Sequence, residues 1–95
     1  MQVTVRFTGP MRTLAGRAQE CVSLPPGAGL RDLLHALATT LPPEFAREVV
    51  DPLQTGNLPT ALLLVNTVNL PGPAGLDHPL CDGDIVAFVP PMSGG

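Results

Sequence analysis

Leu30, Leu33, Leu34, Leu37, Ala38 and Leu41 fall at i, i+3, i+4, i+7, i+8 and i+11, which puts them on one side of an α-helix. Arg31, Asp32, His35, Thr39 and Thr40 take the other side, so His35 is expected in solvent and outside any reactive centre. Pro25-Pro26-Gly27-Ala28-Gly29 breaks the chain before this helix, Gly29 serves as its N-cap, and Pro42 stops it. A helix with a single apolar stripe must lie against a surface of matching shape, and the rest of the chain offers strands to build one.

Val3, Val5 and Phe7 alternate with Gln2, Thr4 and Arg6, the period of a strand with one buried face. Gly9-Pro10 ends it, and residues 11–17 are expected as a loop in which Leu14 tucks under while Arg12 and Arg17 stay wet. A second strand over residues 18–24 carries Val22 and Leu24 on one face and Cys21 on the other, and the short connection predicts an antiparallel hairpin. Past the main helix, residues 43–50 predict a shorter one, with Pro43 in its first turn, Glu44 near its N-terminus and Phe45 one turn from Val49. Residues 51–60 contain two Pro and one Gly and read as a surface loop. Ala61-Leu62-Leu63-Leu64-Val65 is an unbroken apolar run, expected as a strand covered on both faces. Asn66-Thr67 turns it into a short strand over residues 68–70. Residues 71–75 read as a rigid loop, residues 76–80 as a tight turn that seats Leu76 and Leu80, and Asp82-Gly83 as the turn into a last strand over residues 84–89. This order is α+β: a mixed sheet of about five strands crossed by one main helix, with the first and last strands as parallel neighbours in the centre.

At 95 residues the chain is one domain that folds without staples. Only 14% of its residues are charged, and without Trp or Tyr its core must be aliphatic, with Phe7, Phe45 and Phe88 as the aromatic candidates. A net charge of -3 argues against a nucleic-acid partner, which needs a clustered basic face. All five basic residues are Arg; the absence of Lys reads either as genome composition or as avoidance of amines that would attack an activated acyl group. Cys21 and Cys81 show no C-x-x-C spacing, and the first residues open directly on a strand pattern with no leader or membrane span, so a cytoplasmic chain with reduced thiols is the default expectation.

After Val89 the chain changes character. Pro90 and Pro91 have no N–H for a sheet ladder and favour an extended path, so residues 90–95 are expected as a tail separate from the domain at 1–89. Six extended residues reach about 20 Å, enough to enter another protein's active site. Gly94 and Gly95 carry no Cβ, so a narrow tunnel could admit them. For Phe88 the sequence leaves core and partner contact equally open.

Gly83-Asp84-Ile85-Val86-Ala87-Phe88-Val89-Pro90-Pro91-Met92-Ser93-Gly94-Gly95 resembles the end of the MoaD/ThiS sulfur carriers, relatives of ubiquitin with the β-grasp fold, and Pro90-Pro91 resembles the MoaD branch, the small subunit of molybdopterin synthase. The Leu-rich helix after Leu24-Pro25-Pro26-Gly27 and the segment Leu64-Val65-Asn66 extend the resemblance over nearly the whole chain, with residues 51–60 and 71–75 as longer loops than in compact members. The resemblance implies a non-catalytic co-substrate. An E1-like, MoeB-like enzyme adenylates the Gly95 carboxylate with ATP, a sulfur donor makes it a thiocarboxylate, and the tail enters a MoaE-like large subunit where the sulfur attacks a pterin precursor. In that cycle Gly94, Ser93, Met92, Pro91 and Pro90 guide the tail, and Phe88 with Met92 offers an apolar foothold; no cofactor or metal is bound. Thiamine or tRNA thiolation, and conjugation to lysines of other proteins, are the alternatives. No hydrolytic or redox constellation competes, since His35 and His78 have no Ser or Cys at a recognisable spacing.

Overall fold

Val3, Val5 and Phe7 project from one side of the first strand into the core, while Gln2 and Arg6 on the other side are exposed. The structure is a computed structural model and describes residues 1–55, 62–70 and 74–90. In chain order it contains β1 (Gln2–Phe7), α1 (Pro10–Ala15), β2 (Gln19–Ser23), α2 (Leu30–Thr40), α3 (Pro43–Phe45), a π-helical turn (Ala46–Val50), α4 (Asp51–Thr55), β3 (Leu62–Val65), β4 (Val68–Leu70), a 3₁₀ turn (Ala74–Asp77) and β5 (Ile85–Val89). Four strands of four to six residues and the three-residue edge strand β4 form one sheet in the order β2-β1-β5-β3-β4. β1 and β5 are parallel; every other pairing is antiparallel. This is the β-grasp arrangement, with the first and last strands adjacent and β5 in the centre.

The core lies between one sheet face and the helices. Leu30, Leu33, Leu34 and Leu37 of α2 are fully buried against Val3, Val5, Phe7, Leu63, Val65, Val86 and Phe88. Phe45 packs edge-on against Phe7 and Phe88, with ring centroids 5.4 and 5.3 Å away, a favoured aromatic geometry. Leu76 and Leu80 are buried as the spacing predicts, and His35 is exposed. At the start of α2 the Gly29 N–H donates to the Asp32 carboxylate (2.9 Å), and the Leu30 N–H donates to the His78 carbonyl (3.1 Å). A Cβ on Gly29 would sit 2.9 Å from that same carbonyl oxygen, so here glycine answers to close backbone approach.

Three local expectations change. Residues 11–17 are not a loop: Pro10–Ala15 is helical, opened by Pro10 in the first turn and closed by Gly16 (φ 77°), whose N–H donates to the Arg12 carbonyl. Met11 and Ala15 are buried, while Leu14 is only partly so. The second helix does not end at Val50; helical turns run on without a break to Thr55, with the π-helical turn at Ala46–Val50 just ahead of Pro52, and Leu53 is drawn into the core. The remainder of the expected 51–60 loop, Ala61 and residues 71–73 lie outside the described residues. Finally, β3 is not covered on both faces, since Leu63 and Val65 are buried but Leu64 is half-buried.

Candidate functional site

β5 decides what the end of the chain can do. Its start is pinned by a polar cluster: the Asp84 carboxylate accepts from the Asn66 Nδ2 (2.9 Å) and the Cys81 N–H (2.8 Å), and Asn66 Oδ1 accepts from the Ile85 N–H (3.0 Å). Asp82 accepts the Gln2 N–H (2.7 Å), and the Gly83 N–H donates to the Gln2 carbonyl (2.8 Å), closing the turn in which Gly83 has φ 86°. Along its length β5 pairs with β1 on one side, Phe7 opposite Phe88, and with β3 on the other, Leu62 opposite Val89.

Its far end is held by a contact that the sequence does not announce. The Phe88 carbonyl accepts from the Thr8 N–H (3.2 Å) and from the Thr8 hydroxyl (3.3 Å). Pro90 follows, exposed, and its ring lies over Gly9. Pro91, Met92, Ser93, Gly94 and Gly95, the remaining expected tail residues, lie outside the described residues. Gly9-Pro10 reads in sequence as the end of the first strand; the expected parallel pairing brings it towards the end of β5, but the two Thr8 donors on the Phe88 carbonyl, 80 residues away, are visible only in the structure.

Phe88 is a core residue with no accessible surface, so it gives a partner no foothold. Strand alternation hands that part to its neighbours. Ile85 is 43% exposed, Ala87 and Val89 are half-buried, and Leu64 lies opposite Ala87 in the register. These four side chains make an apolar strip on the open face, bordered by Thr4 opposite Ile85 and Arg6 opposite Ala87. The unbroken apolar run of β3 thus reflects one face in the core and one in this strip. Val68, 60% exposed, is the register partner of buried Val65 in the edge strand β4 and so belongs to the other face of the sheet.

A cleft of about 270 Å³ at the start of α2 is lined by Arg31, Asp32 and Asp77 with apolar neighbours, and contains no Ser, Cys or His. Arg31 and Asp77 form an exposed ion pair across it (3.4 Å). Cys21 and Cys81 are exposed free thiols, and no cluster of His, Cys, Asp or Glu among the described residues is placed to hold a metal. No helix among the described residues is long and apolar enough to cross a membrane.

Comparison with known proteins agrees with this geometry. The ThiS family model matches residues 5–95. No curated protein matches the chain. Among solved structures, a protein described as molybdopterin converting factor subunit 1 from Pyrococcus furiosus is 28% identical, with 97% of this chain and 99% of that one covered and a TM-score of 0.77. Urm1 from Trypanosoma brucei is 31% identical over 99% and 95% of the two chains, with a TM-score of 0.72. SAMP1 from Haloferax volcanii is 26% identical over the whole of both, with a TM-score of 0.76.

Proposed function

Because the chain belongs to the ThiS family of ubiquitin-like carriers, we propose that it carries sulfur on the Gly95 carboxyl and donates it in molybdopterin synthesis. The observation that supports this most is the extent of the family match, which runs through Pro90-Pro91 to Gly94-Gly95, on a fold whose central strand ends at exposed Pro90.

A carboxylate is a poor electrophile. In the proposed cycle an activating enzyme lets the Gly95 carboxylate oxygen attack the α-phosphorus of ATP, with pyrophosphate leaving; a sulfide-equivalent donor then attacks the acyl carbon and AMP departs with the C–O bond, which leaves a thiocarboxylate. The carrier's own residues supply no catalysis. Gly94 gives passage, Pro90 and Pro91 give direction, Met92 and Ser93 line the way, and the strip of Leu64, Ile85, Ala87 and Val89 holds the partner so that the terminal sulfur acts at high effective concentration. Inside a larger synthase subunit that sulfur attacks a pterin precursor, and two rounds build the dithiolene.

The similarity to SAMP1 and Urm1 favours a second reading, a carrier for another thiolation pathway or a modifier joined to other proteins, since each begins with the same activated terminus. Intact mass of protein purified from its own host tests the carrier readings together, and blotting of the same lysate tests the modifier. Exchange of one oxygen for sulfur is expected, and a ladder of larger covalent species that disappears on deletion of Gly95 would mark the modifier. Adding one residue after Gly95 keeps every side chain and moves only the carboxyl; if that protein, shown by mass to be unprocessed, still supported dithiolene synthesis, the carrier reading would fall.

A further inference from the structure

The proposed tail starts from a point held by residues at the other end of the chain. Thr8 directs two donors at one acceptor, the Phe88 carbonyl: its N–H at 3.2 Å and its hydroxyl at 3.3 Å. Gly9 then leaves β1 with φ 55° and ψ −133°, a conformation that L side chains rarely adopt. A Cβ there would lie 3.5 Å from Cγ and 3.7 Å from Cδ of Pro90, ordinary contact distances, so the Pro90 ring lies beside Gly9 and it is the positive φ that calls for glycine. Pro90 has no N–H, hence no rung can form on it, and the Thr8 contacts act on the peptide next to the last residue of β5. On the opposite side Leu62 pairs with Val89.

We propose that Thr8 and Gly9 are positioning residues that aim the tail, an inference that rests on the sulfur-carrier reading. A lever makes the aim matter. For a tail extended as Pro90-Pro91 favour, a tilt of about 10° at its base moves an end about 20 Å away by roughly 3.5 Å, close to one residue of backbone. The hydroxyl of Thr8 adds a second restraint on the Phe88–Val89 peptide, and Gly9 supplies the positive φ by which the chain leaves β1 beside Pro90. Docking and aiming therefore fall to different residues: the open-face strip binds the partner, and Thr8 with Gly9 raises the fraction of bound carriers whose terminus lies in the reactive position.

Thr8→Val tests this, because it keeps the β-branched shape and the backbone N–H and removes only the hydroxyl. The full chain is incubated with ATP and the adenylating enzyme of its own host, and carrier-dependent pyrophosphate release is followed. We expect kcat to fall roughly two- to tenfold, the loss of one hydrogen bond, with KM for the carrier unchanged, the thermal midpoint lower by no more than the few degrees one hydrogen bond accounts for, and Thr8→Ser restoring both rate and midpoint. A Thr8→Val protein with the parent's kcat overturns the proposal, and so does a slower one that is also less heat-stable and not rescued by Thr8→Ser. If the unaltered chain itself supports no pyrophosphate release, the carrier reading fails first and the proposal with it.

Discussion

Phe7 and Phe88 are register partners across the parallel pairing of the first and last strands, and their rings stack with centroids 5.6 Å apart at an interplanar angle of 23°. Phe45 closes the cluster edge-on from α3. Replacing Phe88 therefore attacks the seam between β1 and β5 as well as the core. Phe88→Ala is expected to cost about 3–5 kcal/mol, whereas Phe88→Leu, which keeps most of the volume, is expected to cost roughly 1.5 kcal/mol or less. Urea unfolding measures both; a Phe88→Ala protein as stable as the parent would remove Phe88 from the core.

Two glycines near the start of α2 should differ in how far they tolerate the same substitution. Gly27 has φ 88° with nothing within 4 Å of its Cβ position, so only its left-handed backbone restricts it, and Asn tolerates that region. Gly29 has an ordinary extended backbone but no room, with the His78 carbonyl oxygen 2.9 Å from the Cβ position. Gly27→Asn is expected to stay within about 0.5 kcal/mol of the parent, and Gly29→Asn to lose roughly 1–3 kcal/mol. Thermal melts of the two variants should separate accordingly.

Thr67 occupies the left-handed region with φ 72°, beside Asn66 at φ 50°. For a β-branched residue this conformation costs roughly 1–2 kcal/mol, while Asn visits it readily. Thr67→Asn is expected to stabilise the protein by about 0.5–1 kcal/mol in chemical denaturation. A destabilised variant would mean that the Thr67 side chain makes a compensating contact.

The open face should matter for partners and little for folding. Ile85→Ser removes the most exposed apolar group of the central strand, 43% accessible, and leaves the buried neighbours Val86 and Phe88 untouched. Stability is expected to drop by less than about 1 kcal/mol, and affinity for the activating enzyme, read by calorimetry, to weaken at least about fivefold. Unchanged affinity would place the docking surface elsewhere on the molecule.

Much of this molecule was legible in its residues one at a time. The leucine stripe of α2, the alternation of β1 and the Asp82-Gly83 turn each carry their signal within a few neighbours, because helix period, strand period and turn chemistry are local. The family resemblance of residues 83–95 was likewise written in consecutive letters, and the family match spans it. α1 escaped because six residues are too few to display a helical period, and the helical turns to Thr55 escaped because a proline such as Pro52 reads as a helix breaker even where the helix runs on through it.

What the chain order could not contain is which side chains meet across it. Phe88 alternates with Ala87 and Val89, and either set could have faced the helices; the Phe7–Phe45–Phe88 cluster decides for Phe88 and leaves Ile85, Ala87, Val89 and Leu64 on the open face. The parallel pairing of β1 with β5 is expected, but its register is not, and it is the register that brings Thr8 and Gly9, about 80 residues away in sequence, to the Phe88 carbonyl and the Pro90 ring. Local propensity is a property of neighbouring residues and can be read from them. Burial and aim are properties of the closed sheet, and they exist only once strands from both ends of the chain lie side by side.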